Sequence, residues 1–264
     1  MPTFAANGID IYYERRGQGP RLLFLNGSGA TLATSALLIE PFFDRFDAIA
    51  HDQRGLGRTS IPAGPYTMAD YAADAAALLD HEGWDRCRVV GVSFGGMVAQ
   101  ELAVTWPERV ERLALACTSP GGDGGASYPL HELAALPEDE RAAVGPRLLD
   151  IRFTPEWLAA HAGDRMLADV MAARAGGEKT DEQLRGAAEQ LGARRDHDVW
   201  DRLPAIACPT LVACGRYDGI APVTNSEAIV GRVPGAELRV YEGGHAFFAQ
   251  DRTALPEILD FLAA

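Results

Sequence analysis

Residues 91–95 read Gly-Val-Ser-Phe-Gly, a single hydroxyl set among glycines. The run before Ser93, 87–92, is small and β-branched. The run after it, 94–105, has helical composition and is closed by Pro107. A serine at such a strand-to-helix turn must hold a strained backbone to lift its hydroxyl clear of both elements. Side chains on the flanking residues would collide with neighbouring backbone, which accounts for the glycines. Phe94 opens the helix, so its N–H has no partner within the helix and points to the same spot. A hydroxyl beside a free N–H suits a nucleophile whose product is an oxyanion. The plainer alternative is a serine that only caps a helix.

Serine is a weak nucleophile at its own pKa and needs a base, which in turn needs an orienting group. Of six histidines, His81 and His131 fall within helical stretches, and His161 and His197 lie in a long helical region. His51 sits inside a strand-like run. His245 differs: in "YEGGHAFFAQD" it follows the last strand-like run behind two glycines, before a helix expected to start near Asp251. A loop there can carry an imidazole over Ser93. With this serine turn the acid falls between serine and histidine in chain order. Asp218, in the short turn "GRYDGIAP", fits best, with Pro222 opening a helix. Asp123 in "SPGGDGG" is the rival, although its glycines leave its position loose.

A second oxyanion donor is expected after an early strand, where "NGSG" supplies Asn26, Gly27, Ser28 and Gly29. Small residues there let substrate approach the backbone, and the Ser28 N–H would join that of Phe94. The segment lacks the lysine and spacing of a phosphate-binding Walker loop, so an inert glycine turn is the main alternative. "HDQRGLGRTS", 51–60, reads as structural: Asp52 paired with Arg54 and glycines setting a turn, with a share in the floor of the site as the alternative.

These residues need a scaffold that delivers them to one edge. Strand-like runs at 9–16, 21–26, 46–52, 86–92, 110–117, 210–215 and 237–242 alternate with helical ones such as 67–83. That rhythm predicts an α/β fold with a mostly parallel sheet covered by helices on both faces. From 119 to 203 no strand is evident. Helical stretches at 130–135, 137–149, 155–173 and 180–194 are too long for a simple crossover. They suggest a helical cap inserted at 119–203 into a core formed by 1–118 and 204–264; several ordinary helices on the sheet face is the alternative. Phe153, Trp157, Met166, Met171 and Trp200 are candidates for an apolar pocket there, or plain core. Nine arginines in the insertion, among them Arg141, Arg152 and Arg195, offer carboxylate clamps. They are outnumbered by acids, which argues that most are solvated.

Length and composition agree with one large domain carrying an insertion: 264 residues, 47% hydrophobic. A net charge of −13 argues against a nucleic-acid partner and against an acidic carrier protein. No window is apolar enough to span a membrane, and the first residues lack the pattern of a signal peptide. Cys87, Cys117, Cys208 and Cys214 lack metal-ligand spacing and read as buried free thiols in a reducing cytoplasm. A homo-oligomer is left open.

Five motifs in order, NGSG, DQRGLGRTS, GVSFGG, GRYDGIAP and GGHAFF, resemble the α/β-hydrolase fold family, in its capped esterase and lactonase type and most of all its 3-oxoadipate enol-lactonase-like branch. The resemblance covers nearly the whole chain except the insertion. It implies an eight-stranded, mostly parallel sheet with helices around it. It also implies ester or lactone hydrolysis by Ser93, His245 and Asp218, with no metal or organic cofactor. Many relatives carry histidine where this chain has Asn26, which puts the loop's geometry in question rather than the chemistry. Serine at 93 argues against the aspartate-nucleophile members. Carbon–carbon or thioester hydrolysis, perhydrolysis and acyl transfer with the same residues stay open, as does a non-catalytic small-molecule receptor.

Overall fold

A computed structural model describes residues 2–175, 177 and 179–264. The chain opens with β1 (Thr3–Ala6), β2 (Ile9–Arg16) and β3 (Arg21–Leu25), then α1 (Leu32–Arg45), β4 (Asp47–His51) and α2 (Met68–His81). It continues through β5 (Cys87–Val92), α3 (Phe94–Thr105) and β6 (Val110–Ala116). Among the described residues, five helices follow without an intervening named strand: α4 (Leu130–Ala135), α5 (Glu138–Leu149), α6 (Pro155–Ala160), α7 (Ala162–Ala175) and α8 (Asp181–Arg195). The chain closes with β7 (Thr210–Gly215), α9 (Val223–Arg232), β8 (Glu237–Tyr241), α10 (Phe247–Gln250) and α11 (Ala254–Ala263).

The eight strands form one sheet in the order β1-β2-β4-β3-β5-β6-β7-β8. Pairings from β4 through β8 are parallel; β1 and β2 join antiparallel at one edge. Strand residues alternate between two apolar clusters, which explains why the central strands read as unbroken apolar runs. Leu23, Leu25, Val89 and Leu113 pack with Tyr71, Leu78, Val98 and Leu102 of α2 and α3. Leu22, Phe24, Val90 and Ala114 pack with Ile39, Phe42, Ile258 and Leu262 of α1 and α11. Each fully buried Leu or Phe contributes about 1.5–3 kcal/mol relative to exposure.

Threonine caps set several helix starts. Thr67 accepts from the Asp70 N–H while the Asp70 side chain accepts from the Thr67 N–H, and Thr31 and Thr180 repeat the device at α1 and α8. Two expected helices differ in detail. The stretch 155–173 is broken at His161, whose backbone leaves the helical region at φ −122°, ψ 88°; its ring stacks on Trp157 at 3.9 Å. The helix expected near Asp251 starts only at Ala254, because the Asp251 carboxylate accepts from Thr253 N–H and Oγ in a turn. The four cysteines are free; Cys208 is half-buried and the others buried. Among the described residues, no helix is long and apolar enough to cross a membrane.

Candidate active site

β5 delivers Ser93 to the carboxyl edge of the sheet. Its backbone stands at φ 57°, ψ −115°, the left-handed region that side chains rarely adopt, and its N–H donates to Ala116 O at 2.8 Å. The glycines give the turn room. A Cβ on Gly95 would run into the carbonyl of Leu25, and one on Gly91 into that of Gly95. The β3 end and the serine turn are therefore in backbone contact, closer than any side chain would allow.

That contact brings the NGSG loop to the serine. A Cβ on Gly27 would lie 3.5 Å from Ser93 Cβ. The N–H groups of Ser28 and Phe94 have no acceptor among the described residues, and Phe94 N–H lies at the positive end of α3. Buried Asn26 leaves its side-chain Nδ2 without a partner, as does Ser28 its Oγ. Gln53 Nε2 donates to Asn26 O at 2.6 Å, so the segment after β4 does support the site's floor. The expected Asp52–Arg54 pair does not form. Asp52 instead accepts from the N–H groups of Leu32 (2.7 Å) and Arg58 (2.9 Å), while Arg54 makes a two-pronged bond to buried Asp74 at 2.7 and 2.8 Å. Both Asp52 oxygens are taken by backbone donors, whereas buried Asp74 on α2 presents both of its oxygens to Arg54.

His245, on the loop after β8, spans the gap. Its Nε2 lies 3.0 Å from Ser93 Oγ and its Nδ1 2.8 Å from Asp218 Oδ2. The other oxygen of Asp218 accepts from Ile220 and Ala221 N–H groups at 2.7 and 2.8 Å, locking the carboxylate in its turn. Asp123 is exposed on a short 3-10 turn, and His245 Nδ1 is bonded to Asp218 instead. Cys117, buried against Asp218 and His245, completes a group with metal-ligand proximity. Burial, with Asp218 adding to it, pushes its thiol well above the usual range, so it offers no thiolate.

Sequence reasoning missed the contribution of the helical segment between β6 and β7. The end of α5 is wedged under both loops: Leu148 O accepts from Gly219 N–H at 3.2 Å and Leu149 O from His245 N–H at 2.6 Å. Buried Asp150 accepts from Gln250 Nε2 at 2.9 Å, and Gln250 Oε1 accepts from Gly244 N–H at 2.8 Å. From α8, buried Gln190 accepts from Gly29 N–H at 2.7 Å, reaching the NGSG loop across the fold. One signal was present: Gly186, Gln190 and Arg194 recur at helical spacing, an inward face without a large apolar residue. The apolar candidates are scattered. Phe153 is buried, Met166 is 68% exposed, Met171 is half-buried, Trp157 stacks on His161, and Trp200 packs on the main core.

Residues 20–251 match the alpha/beta hydrolase fold family. The chain belongs to this family of hydrolases. It is 32% identical over 245 residues to a poly(3-hydroxyalkanoate) depolymerase of Ectopseudomonas oleovorans, covering 91% of this chain and 83% of that protein. It is 27% identical over 248 residues to 3-oxoadipate enol-lactonase 2 of Acinetobacter baylyi, covering 92% and 89%. A crystal structure of a hydrolase from Pseudomonas aeruginosa matches with a TM-score of 0.81 at 31% identity, covering 100% of this chain and 98% of that one. The α/β-hydrolase fold and the likeness to enol-lactonases expected from the motifs are thus borne out.

Proposed function

We propose that this α/β hydrolase cleaves a carboxylic ester or lactone through an acyl-enzyme, with Ser93 as nucleophile, His245 as base and Asp218 as the orienting acid. The observation that carries the reading is the continuous hydrogen-bonded chain from Ser93 Oγ through both nitrogens of His245 to Asp218, at 3.0 and 2.8 Å. Asp218 holds the proton on Nδ1, which leaves the Nε2 lone pair facing the hydroxyl. As Ser93 Oγ bonds to the substrate carbonyl carbon, its proton passes to Nε2. The carbonyl oxygen becomes an oxyanion that accepts from the Ser28 and Phe94 N–H groups; each such donor is worth about 2.7–4 kcal/mol in the barrier. His245 then protonates the departing alkoxide as the tetrahedral carbon collapses to the acyl-enzyme. In a lactone that alkoxide stays tethered as the far end of the acyl chain. Water attacks next, His245 takes its proton, and the acid is released with Ser93 restored.

The helical segment 119–203 serves as a cap that shapes what reaches Ser93. The name of the Acinetobacter baylyi relative, an enol-lactonase, supports ester and lactone carbonyls over other acyl groups. Hydrolysis of p-nitrophenyl butyrate tests the reading: Ser93→Ala lowers kcat by about 10⁶-fold, the scale for a serine of this kind. Retained turnover overturns it.

A further inference from the structure

In the loop that carries His245, the Gly244 N–H finds its acceptor in a side chain, Gln250 Oε1 at 2.8 Å. The preceding Gly243 stands at φ 138°, and a Cβ there would come within 2.7 Å of the same Oε1. A Cβ on Gly244 would run into Leu149 O and Asp150 Cα. The two glycines let Gln250 fold back from the end of α10 over the loop, and let the loop lie on the end of α5.

The other end of the same amide reaches the helical segment. Gln250 Nε2 donates to Asp150 Oδ2 at 2.9 Å and lies 3.4 Å from Asp164 Oδ1 on α7. Buried Asp150 cannot swing away. Arg152 holds its Oδ1 with N–H and Nε, at 3.0 and 2.9 Å, and its Oδ2 with Nη2 at 2.6 Å. The guanidinium of Arg152 in turn sits 3.9 Å from the ring centre of Tyr217, the residue before Asp218. Arg152 is thus taken up inside the protein, as Arg141 is by Leu136 O and Arg195 by Asp196. A backbone N–H only donates and a carboxylate only accepts, so a side chain joining Gly244 to Asp150 must accept at one end and donate at the other. A glutamine amide does both; an ionised carboxylate or a hydrocarbon of the same size does not.

We propose that Gln250 is a positioning residue for His245: it fastens the Gly244 peptide to Asp150 and so fixes the imidazole where its Nε2 meets Ser93 Oγ. The inference rests on the serine-hydrolase reading for what that position is worth, but not for the link itself. Leu149 O already holds the His245 N–H. One bond leaves the loop free to turn about it, and a second bond one residue away removes that freedom. Gln250 acts through the peptide before His245 and not on the reacting atoms.

The test has two readouts. One is kcat on p-nitrophenyl butyrate. The other is the NMR resonance of the His245 Nδ1 proton, which its bond to Asp218 moves far downfield and which needs no substrate. Gln250→Leu should lower kcat by about 10- to 100-fold, the scale of a base displaced by up to about 1 Å, with KM changed less and the resonance shifted or lost. Gln250→Glu sets a carboxylate against Asp150 and should do the same. Adding Asp150→Asn to Gln250→Glu reverses the polarity of the link: the new amide donates, the new carboxylate accepts, and Arg152 keeps a carboxylate within reach. The double variant should recover most of kcat and the resonance, which a general loss of stability would not allow. Wild-type kcat in Gln250→Leu, a fall in kcat with the resonance unmoved, or a double variant no better than Gln250→Glu each overturns the proposal. If Gln250→Leu fails to fold, Gln250→Glu and the double variant decide on the same readouts. Turnover that survives Ser93→Ala, with the resonance still dependent on Gln250, would sink the hydrolase reading and leave the link standing. Turnover lost in Ser93→Ala but untouched in Gln250→Leu would do the reverse.

Discussion

Ser93 holds a backbone conformation, φ 57° and ψ −115°, that costs on the order of 1–3 kcal/mol. The surrounding contacts impose it: its own N–H is bonded to β6 and the β3 carbonyls press on Gly95. A hydroxyl aimed by strain needs its base aimed equally well, and Asp218 does this through two backbone N–H bonds and one imidazole bond. Asp218→Asn should therefore cut kcat on p-nitrophenyl butyrate by about 10⁴-fold, because an amide there favours the wrong imidazole tautomer. Asp123→Asn should leave kcat within about twofold. A larger loss at Asp123 would reverse the assignment. Ser93, His245 and Asp218 were legible because each follows an apolar run and is marked by glycine or a turn. The Arg54–Asp74 pair was not, since its partners are 20 residues apart on different elements and nothing local distinguishes Asp74 from Asp52 as a partner.

At the scale of elements, the sheet was readable because both faces are covered, which makes the parallel strands unbroken apolar runs. α1 escaped notice: Pro41 lies inside it and argues locally against a helix, and burial of Ile39, Phe42 and Phe43 prevails. β1 is short and half exposed, held by its pairing with β2 rather than by its own composition. The role of α8 was hidden for the opposite reason. Its buried face is Gly186, Gln190, Ala193 and Arg194, and a polar inward face looks like a solvated one until its partners are seen. Gln190 acts as a positioning residue, through the NGSG loop. Gln190→Ala releases the Gly29 N–H and loosens the neighbouring Ser28 donor. The expected outcome is a loss of about 2- to 12-fold in kcat, the worth of one hydrogen bond, with KM changed less. A rise in KM at constant kcat would place Gln190 in substrate binding instead.

Across the whole molecule, acid sensitivity is built into two histidines far apart in sequence. Burial lowers the pKa of His51 to about 4, opposed by Asp74, and that of His197 to about 4, opposed chiefly by Glu101. An unfolded chain protonates both near pH 6.5. Below that value the unfolded state binds more protons than the folded one, so stability is full above about pH 6.5 and is lost as pH falls through about 4. The slope is up to about 1.4 kcal/mol per pH unit for each histidine. Urea unfolding at about pH 7.5, 5.5 and 4.5 should show the decline, and His51→Asn should make it shallower; an identical slope in the variant would rule out His51 as a source. The end of α5 has a consequence at the same scale. Because Leu148 and Leu149 carbonyls hold the loops of Asp218 and His245, the helical segment and both of these loops hang on one stretch of backbone. An exchange of the helical segment between relatives, made to transplant specificity, would transplant a working enzyme only if the crossover point spares residues 148–150.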